Sequence, residues 1–123
     1  MNRWLFIGAV NGFLAVGAGA FGAHGLEGRV DARLLAAFQT GAHYHLVHAL
    51  AIIAAGCAAR FADPRWANIA AWLFLAGIVL FSGSLYFLGL AQSYALVLVT
   101  PVGGLLLLAG WAALAYAALR TKE

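Results

Sequence analysis

Four long apolar runs, about Trp4 to Ala23, Gln39 to Ala59, Ala67 to Leu90 and Tyr94 to Leu119, fill most of this chain, and every charged residue falls between or beyond them. A helix needs roughly 20 mostly apolar residues to cross a bilayer's hydrocarbon core, where each backbone N–H and C=O must be bonded within the segment. Each run meets that length. The expected fold class is therefore all-α: an integral membrane four-helix bundle, one domain over 1–123, with the lipid bilayer as its first partner.

Composition argues the same way. With 65% hydrophobic and 9% charged residues, the chain cannot supply the polar surface of a water-soluble domain. Its net charge of +3 is spread over the flanks and makes no basic stripe, so no nucleic-acid partner is expected. Cys57 stands alone, which rules out an intrachain disulfide; it is expected as a small buried apolar residue. The first run follows Arg3 and ends in small residues, as secretory signals do. Its length exceeds the usual signal core of roughly 7–15 residues, and it is expected to stay as a span.

The connections carry the remaining signals. Asp31 is a plausible N-cap for Leu34, Leu35 and Phe38 at helical spacing, which predicts a short amphipathic helix in the interface before the second span. Pro64 reads as a sharp stop, and Ala91-Gln92-Ser93 as a tight helical hairpin. Four spans put both termini on one side, with Arg3, Arg60, Arg65, Arg120 and Lys122 there and Arg29 and Arg33 opposite. The positive-inside rule then predicts a bacterial inner-membrane protein with both termini cytoplasmic.

Helices in lipid associate by close backbone approach, so small residues at four-residue spacing mark contact faces. Gly8, Gly12, Gly19 and Gly22 mark the first helix, Gly77 and Gly83 the third, and Gly103, Gly104 and Gly110 the fourth. Pro101 predicts a kink there, with the glycines softening the helix beyond it. A homo-oligomer, or a subunit of a larger membrane complex, is expected, since four short helices leave much surface exposed.

Polar residues inside a membrane are costly, and each calls for an explanation. Thr40, Tyr44, His45 and His48 project from one arc of the second helix, about 140° wide, whereas His43 points away. Counted from the first connection, the histidines lie roughly 6 to 14 Å into their helix, with Ser82, Ser84, Tyr86 and Thr100 at matching depth and His24 capping the first helix. Asn11 lies deeper. The expectation is one polar pocket in the outer-leaflet half, lined by His24, Thr40, Tyr44, His45, His48, Ser82, Tyr86 and Thr100. Interhelical packing, a small-ligand or proton site, and a metal site compete to explain it.

A metal is not expected, because no carboxylate or thiolate lies at that depth, and no cofactor is expected either: haem would need axial histidines on separate helices. Nor is there a nucleophile with a base and an orienting acid, since all four carboxylates sit in connections or at the chain end, so the chain reads as a non-enzyme. A small transporter or channel for a proton or solute is the main alternative, and four helices would have to oligomerise to provide a pathway.

The segments Gly19-Ala20-Phe21-Gly22-Ala23-His24, Phe38-Gln39-Thr40-Gly41 with Tyr44-His45 and His48-Ala49-Leu50, Leu80-Phe81-Ser82-Gly83-Ser84-Leu85-Tyr86, and Thr100-Pro101-Val102-Gly103-Gly104 with Gly110-Trp111 occur in that order. Together they resemble the small bacterial inner-membrane proteins of domain-of-unknown-function family 423, which are similar to eukaryotic transmembrane protein 256. The resemblance covers nearly the whole chain and implies a four-helix membrane protein of this length, with no activity to carry over. Its blocks include His24, Thr40, His48, Ser82, Tyr86 and Thr100; they also imply glutamine in some members at the position of His45, which favours His48 as the site residue.

Overall fold

The computed structural model describes residues 2–120 and consists of four helices in up-down-up-down order. They are α1 (Arg3–Phe21), α2 (Ala32–Ala58), α3 (Pro64–Ala91) and α4 (Val99–Leu119). All four are long and apolar enough to span a membrane. Both termini lie at the same end, where the start of α3 meets the end of α4 through the Asp63 N–H bonded to the Ala117 carbonyl, 3.2 Å. Lys122, counted above among the basic flanks, lies outside the described residues.

Local chemistry explains where each helix begins. The Asn2 side chain accepts the Leu5 N–H at 3.0 Å, and Asp31 Oδ1 accepts the Arg33 N–H at 2.9 Å. Asp63 Oδ1 accepts the Arg65 N–H at 3.0 Å, so Pro64 starts α3 rather than stopping α2. A first-turn proline loses nothing, because its missing N–H would have had no helical partner.

The interfacial helix expected before the second span is instead the first two turns of α2, which runs unbroken for 27 residues. Leu34 and Phe38 are buried within the bundle, with Phe38 against Phe21, Tyr86 and the Cα of Gly89. Their spacing was legible, but their burial reflects protein packing and not lipid contact. Helix α1 ends in a widened π turn over Gly22–Leu26, and Gly28 at φ 81° turns the chain toward α2.

The third connection is longer than the hairpin expected, running from Gln92, left-handed at φ 52°, to Leu98. Pro101 is thus the third residue of α4, among the first N–H positions that have no partner inside the helix. No helical bond is lost, and the cause proposed for a kink disappears.

Helices α2 and α3 form the central pair. Alanines at 51, 55, 67, 70 and 71 are almost wholly buried there, letting the backbones approach around Ile52 and Phe74. Helix α1 packs on α2 and reaches α3 near its start, where Trp4 bonds Asn68 and lies edge-on to Trp72 at 5.0 Å. Helix α4 packs along the opposite flank of α3 and touches α2 mainly through Trp111. The first and last helices therefore share no extended contact, and the bundle is splayed.

Glycines seat large neighbours at each seam. A Cβ on Gly56 would strike Trp4, on Gly22 or Gly89 it would crowd Phe38, and on Gly110 it would meet Phe74 at 2.6 Å. Gly8 meets Ile53 and the Ala49 carbonyl, Gly77 meets Leu107, and Gly103 meets the Phe81 backbone. Gly19 only approaches Ala42, at 4.0 Å, and Gly104 makes ordinary contact with Phe81. Gly12 and Gly83, assigned to contact faces from spacing, face open space, whereas Gly41, Gly56 and Gly89 were not singled out and do pack. Cys57 is exposed on the outer surface of α2, not buried.

Candidate functional site

Buried polarity gathers around α2. On one side His45 Nε2 lies 2.9 Å from Asn11 Oδ1, and its Nδ1 lies 2.8 Å from the Tyr86 hydroxyl. The Asn11 amide is oriented by its Nδ2 bond to the Ile7 carbonyl at 2.9 Å, so its oxygen faces the imidazole. An amide oxygen only accepts; Nε2 of the neutral ring must carry the hydrogen and Nδ1 must accept from Tyr86. Three helices are thereby joined in one directed chain, from Tyr86 through His45 and Asn11 to the backbone of α1.

His48 is held the other way. Trp111 Nε1–H can only donate, and it lies 3.0 Å from His48 Nε2. The hydrogen of His48 is therefore on Nδ1, which donates to the Tyr44 carbonyl at 2.7 Å. The ring packs against Phe74 and Trp111, which also touch each other, with Tyr44 stacked nearly parallel at 6.0 Å. Two histidines three residues apart thus take opposite tautomers and serve opposite seams, α2 with α1 and α3, and α2 with α4.

Two hydroxyls complete the set. Ser82 Oγ donates to the Gly41 carbonyl at 2.7 Å, made possible by the missing side chain of Gly41. Ser84 Oγ donates to the Phe81 carbonyl at 2.8 Å, which leaves Thr100 to donate to Ser84 across the α3–α4 seam. Among the described residues, every buried side-chain nitrogen and oxygen has a partner.

The structure therefore brings His45, Tyr86 and Ser82 together on one side, and Tyr44 and His48 together on the other, with Ser84 and Thr100 forming a separate bond. His24, on the π turn, and Thr40 are exposed and join neither group. The single pocket resolves into several bonds because His45 faces α1 and α3 whereas His48 faces α4, and the start of α2 at Ala32 sets both deeper than expected. His45 and His48 are its 14th and 17th residues of 27, near the middle of the span.

Asn11 and Trp111 were missed as partners. An amide inside an apolar run is itself a signal that a partner exists. Trp111 carried no such signal, since a tryptophan in a span is explained by packing alone.

A groove of about 440 Å³ opens beside His45 between α1 and α3, lined by Asn11, Leu14, Val79, Ser82 and Tyr86 among others, with Gly83 leaving it wide. No group of three or more His, Cys, Asp or Glu that could hold a metal ion occurs among the described residues. At the end of the bundle that holds the termini, Arg120 Nε pairs with Asp63 Oδ2 at 3.2 Å and Nη1 donates to the Tyr116 hydroxyl at 3.2 Å. The Tyr116 hydroxyl first, and the Asp63 carboxylate after it, hold the Arg120 guanidinium above its ordinary range.

Comparison with known proteins places this geometry in context. A family model described as protein of unknown function (DUF423) matches residues 18–104. The chain is 43% identical over 121 residues to the UPF0382 membrane protein YwdK of Bacillus subtilis (strain 168), covering 98% of each chain. It is 40% identical over 122 residues to a UPF0382 membrane protein of Haemophilus influenzae, covering 99% of this chain and 98% of the relative. A Staphylococcus epidermidis relative, UPF0382 membrane protein SERP0230, is 41% identical over 120 residues, covering 98% of each. No solved structure matches.

Proposed function

The chain belongs to the DUF423 family, and from that premise we propose that it is a non-enzymatic component of the bacterial inner membrane, oligomeric or accessory to a larger complex, with both termini cytoplasmic. The observation that carries this reading is the saturation of the polar network: among the described residues, each buried polar side-chain atom is bonded, and the bonds join different helices. Groups spent in this way fix helix register. A catalytic or translocating group needs a donor or acceptor left over for its substrate.

The charge distribution supports this orientation. Arg3, Arg60, Arg65 and Arg120 share the end of the bundle with the termini, and Arg29 and Arg33 lie at the other. The splayed arrangement supports assembly, since the outer faces of α1 and α4 leave Phe13, Leu105 and Leu108 largely exposed among the described residues. The test is twofold. His48→Ala and Tyr86→Phe should both lower the melting temperature in detergent, and wild-type melting in both would refute the packing role. Purification from native membranes should yield a homomer or a partner at fixed stoichiometry; a lone monomer in mild detergent would refute assembly.

The groove beside His45 favours a second reading, in which a solute or proton engages Asn11, His45 and Tyr86 from the α1–α3 side. Reconstituted protein would then catalyse flux that Asn11→Leu or Tyr86→Phe abolishes while the fold survives. Flux indifferent to both variants would remove the groove from any pathway.

A further inference from the structure

A second depression, of about 540 Å³, lies on the opposite flank, between α3 and α4. Ala109, Ala112 and Ala113 on α4 leave it unfilled, while Trp66 and Tyr116, edge-on at 5.0 Å, and Leu73 form its walls. Its size is that of a small-ligand site and its lining is apolar apart from the aromatic tips. Trp and Tyr of this kind settle where hydrocarbon meets headgroups, because one end of each ring system is apolar and the other wet.

Beyond Tyr116 stands Arg120. Its guanidinium carbon lies 5.7 Å from the Tyr116 ring centroid, and two of its nitrogens are bonded to Tyr116 and Asp63. Those bonds hold the group in place while 56% of the side chain remains exposed, and Nη2 has no bond among the described residues. Asp63 is already shared, its Oδ1 capping α3 and its Oδ2 on Arg120. Arg3, Arg60, Arg65 and Arg120 share this end of the bundle with that one carboxylate among the described residues. The excess is positive, and a planar guanidinium with donors to spare suits a phosphate.

We propose that the α3–α4 notch binds an anionic phospholipid, one acyl chain lying over Ala109, Ala112 and Ala113 beside the touching rings of Trp66 and Tyr116, and the headgroup phosphate on Arg120. An apolar slot that runs to an anchored cation at headgroup depth matches such a molecule at both of its ends, and basic pockets between spans on the cytoplasmic side hold anionic headgroups in this way. A partner helix would match the slot alone. This inference does not depend on the role given to the histidines.

The test uses the full chain in neutral detergent, with lipid retention read by native mass spectrometry against added phosphatidylglycerol, phosphatidylcholine or inorganic phosphate. Wild-type protein should retain phosphatidylglycerol over phosphatidylcholine and give no response to phosphate. Arg120→Gln should cut that preference about fivefold, the share of one basic side chain near an anionic headgroup. Ala112→Leu, which fills the slot without touching the charge, should weaken both lipids alike. If Arg120→Gln does not fold, Ala112→Leu decides the matter. Equal retention of the two lipids by wild type, or retention unchanged in Ala112→Leu, would overturn the proposal. So would a dimer that Ala112→Leu breaks with lipid retention intact, since the notch would then be a protein contact.

Discussion

Replacing Gly103 with alanine asks whether the α3–α4 seam is as close as it looks. A Cβ at Gly103 would stand 2.7 Å from the Phe81 Cα and 2.8 Å from the Leu80 carbonyl carbon, with the Phe81 nitrogen nearer still. These are backbone atoms, so no side-chain rotation relieves the contact. Ordinary approach begins near 3.4 Å, and the helices must part by about 1 Å to restore it at the nearest atom. That separation reaches one turn in each direction along the same face, to the Ser84–Thr100 bond and to Leu107 seated over Gly77. Overpacking of this kind costs about 1–3 kcal/mol and the strained interhelical bond adds about 0.6 kcal/mol, while alanine's better helix propensity returns about 1 kcal/mol, for a net loss of about 1–2 kcal/mol. Gly104→Ala is the control: its Cβ would meet Phe81 Cδ2 at 3.7 Å, an ordinary contact, and alanine is the better helix former by about 1 kcal/mol. Reversible denaturation in mixed micelles should therefore show Gly103→Ala losing about 1–2 kcal/mol and Gly104→Ala unchanged or slightly more stable. Equal stability of the two variants would refute the seam described above.

The remaining predictions concern the polar bonds and one turn. Trp111→Phe keeps a ring against Phe74 and His48 but removes the donor to His48 Nε2, and should cost about 0.6–1.7 kcal/mol by melting; His48→Ala, which also leaves a cavity beside the Phe74 and Trp111 rings, should cost on the order of 3 kcal/mol. Asn11→Leu leaves the His45 N–H without an acceptor at a loss of about 1–3 kcal/mol, and a cycle with Tyr86→Phe should be non-additive because both act through one ring. Additive losses would mean that the directed chain does not exist. Gln92→Gly should raise stability by about 1 kcal/mol, since a side chain at φ 52° is strained where glycine is not; a lower melting temperature would contradict the turn geometry.

Much of the architecture was legible in sequence because lipid imposes simple demands. Twenty apolar residues must be a helix, and charge must lie outside, so four spans, their alternation and the shared side of the termini follow without any knowledge of packing. Asp31 as an N-cap was legible for the same reason, being a local bond from a side chain to the next turn. The boundaries at Pro64 and Val99 were less so, since a proline marks either end of a helix, and an apolar connection such as Tyr94 to Leu98 looks like more span.

The partners belong to the tertiary structure. Helical periodicity sets the face on which His45 and His48 project, but their tautomers depend on what faces them: an amide oxygen for one and an indole N–H for the other. The glycine stripe of α1 shows a similar division, since Gly8 meets Ile53 while Gly12 faces open space, a difference made by the crossing of α1 over α2 and not by the spacing of the glycines. Sequence alone determined that this chain crosses a membrane four times and buries costly polar groups there, because the expense of unpaired polarity in lipid is a property of the solvent. Which groups meet was decided only when α1 and α4 took opposite flanks of the α2–α3 pair, because contact between residues tens of positions apart depends on how helices cross and rotate.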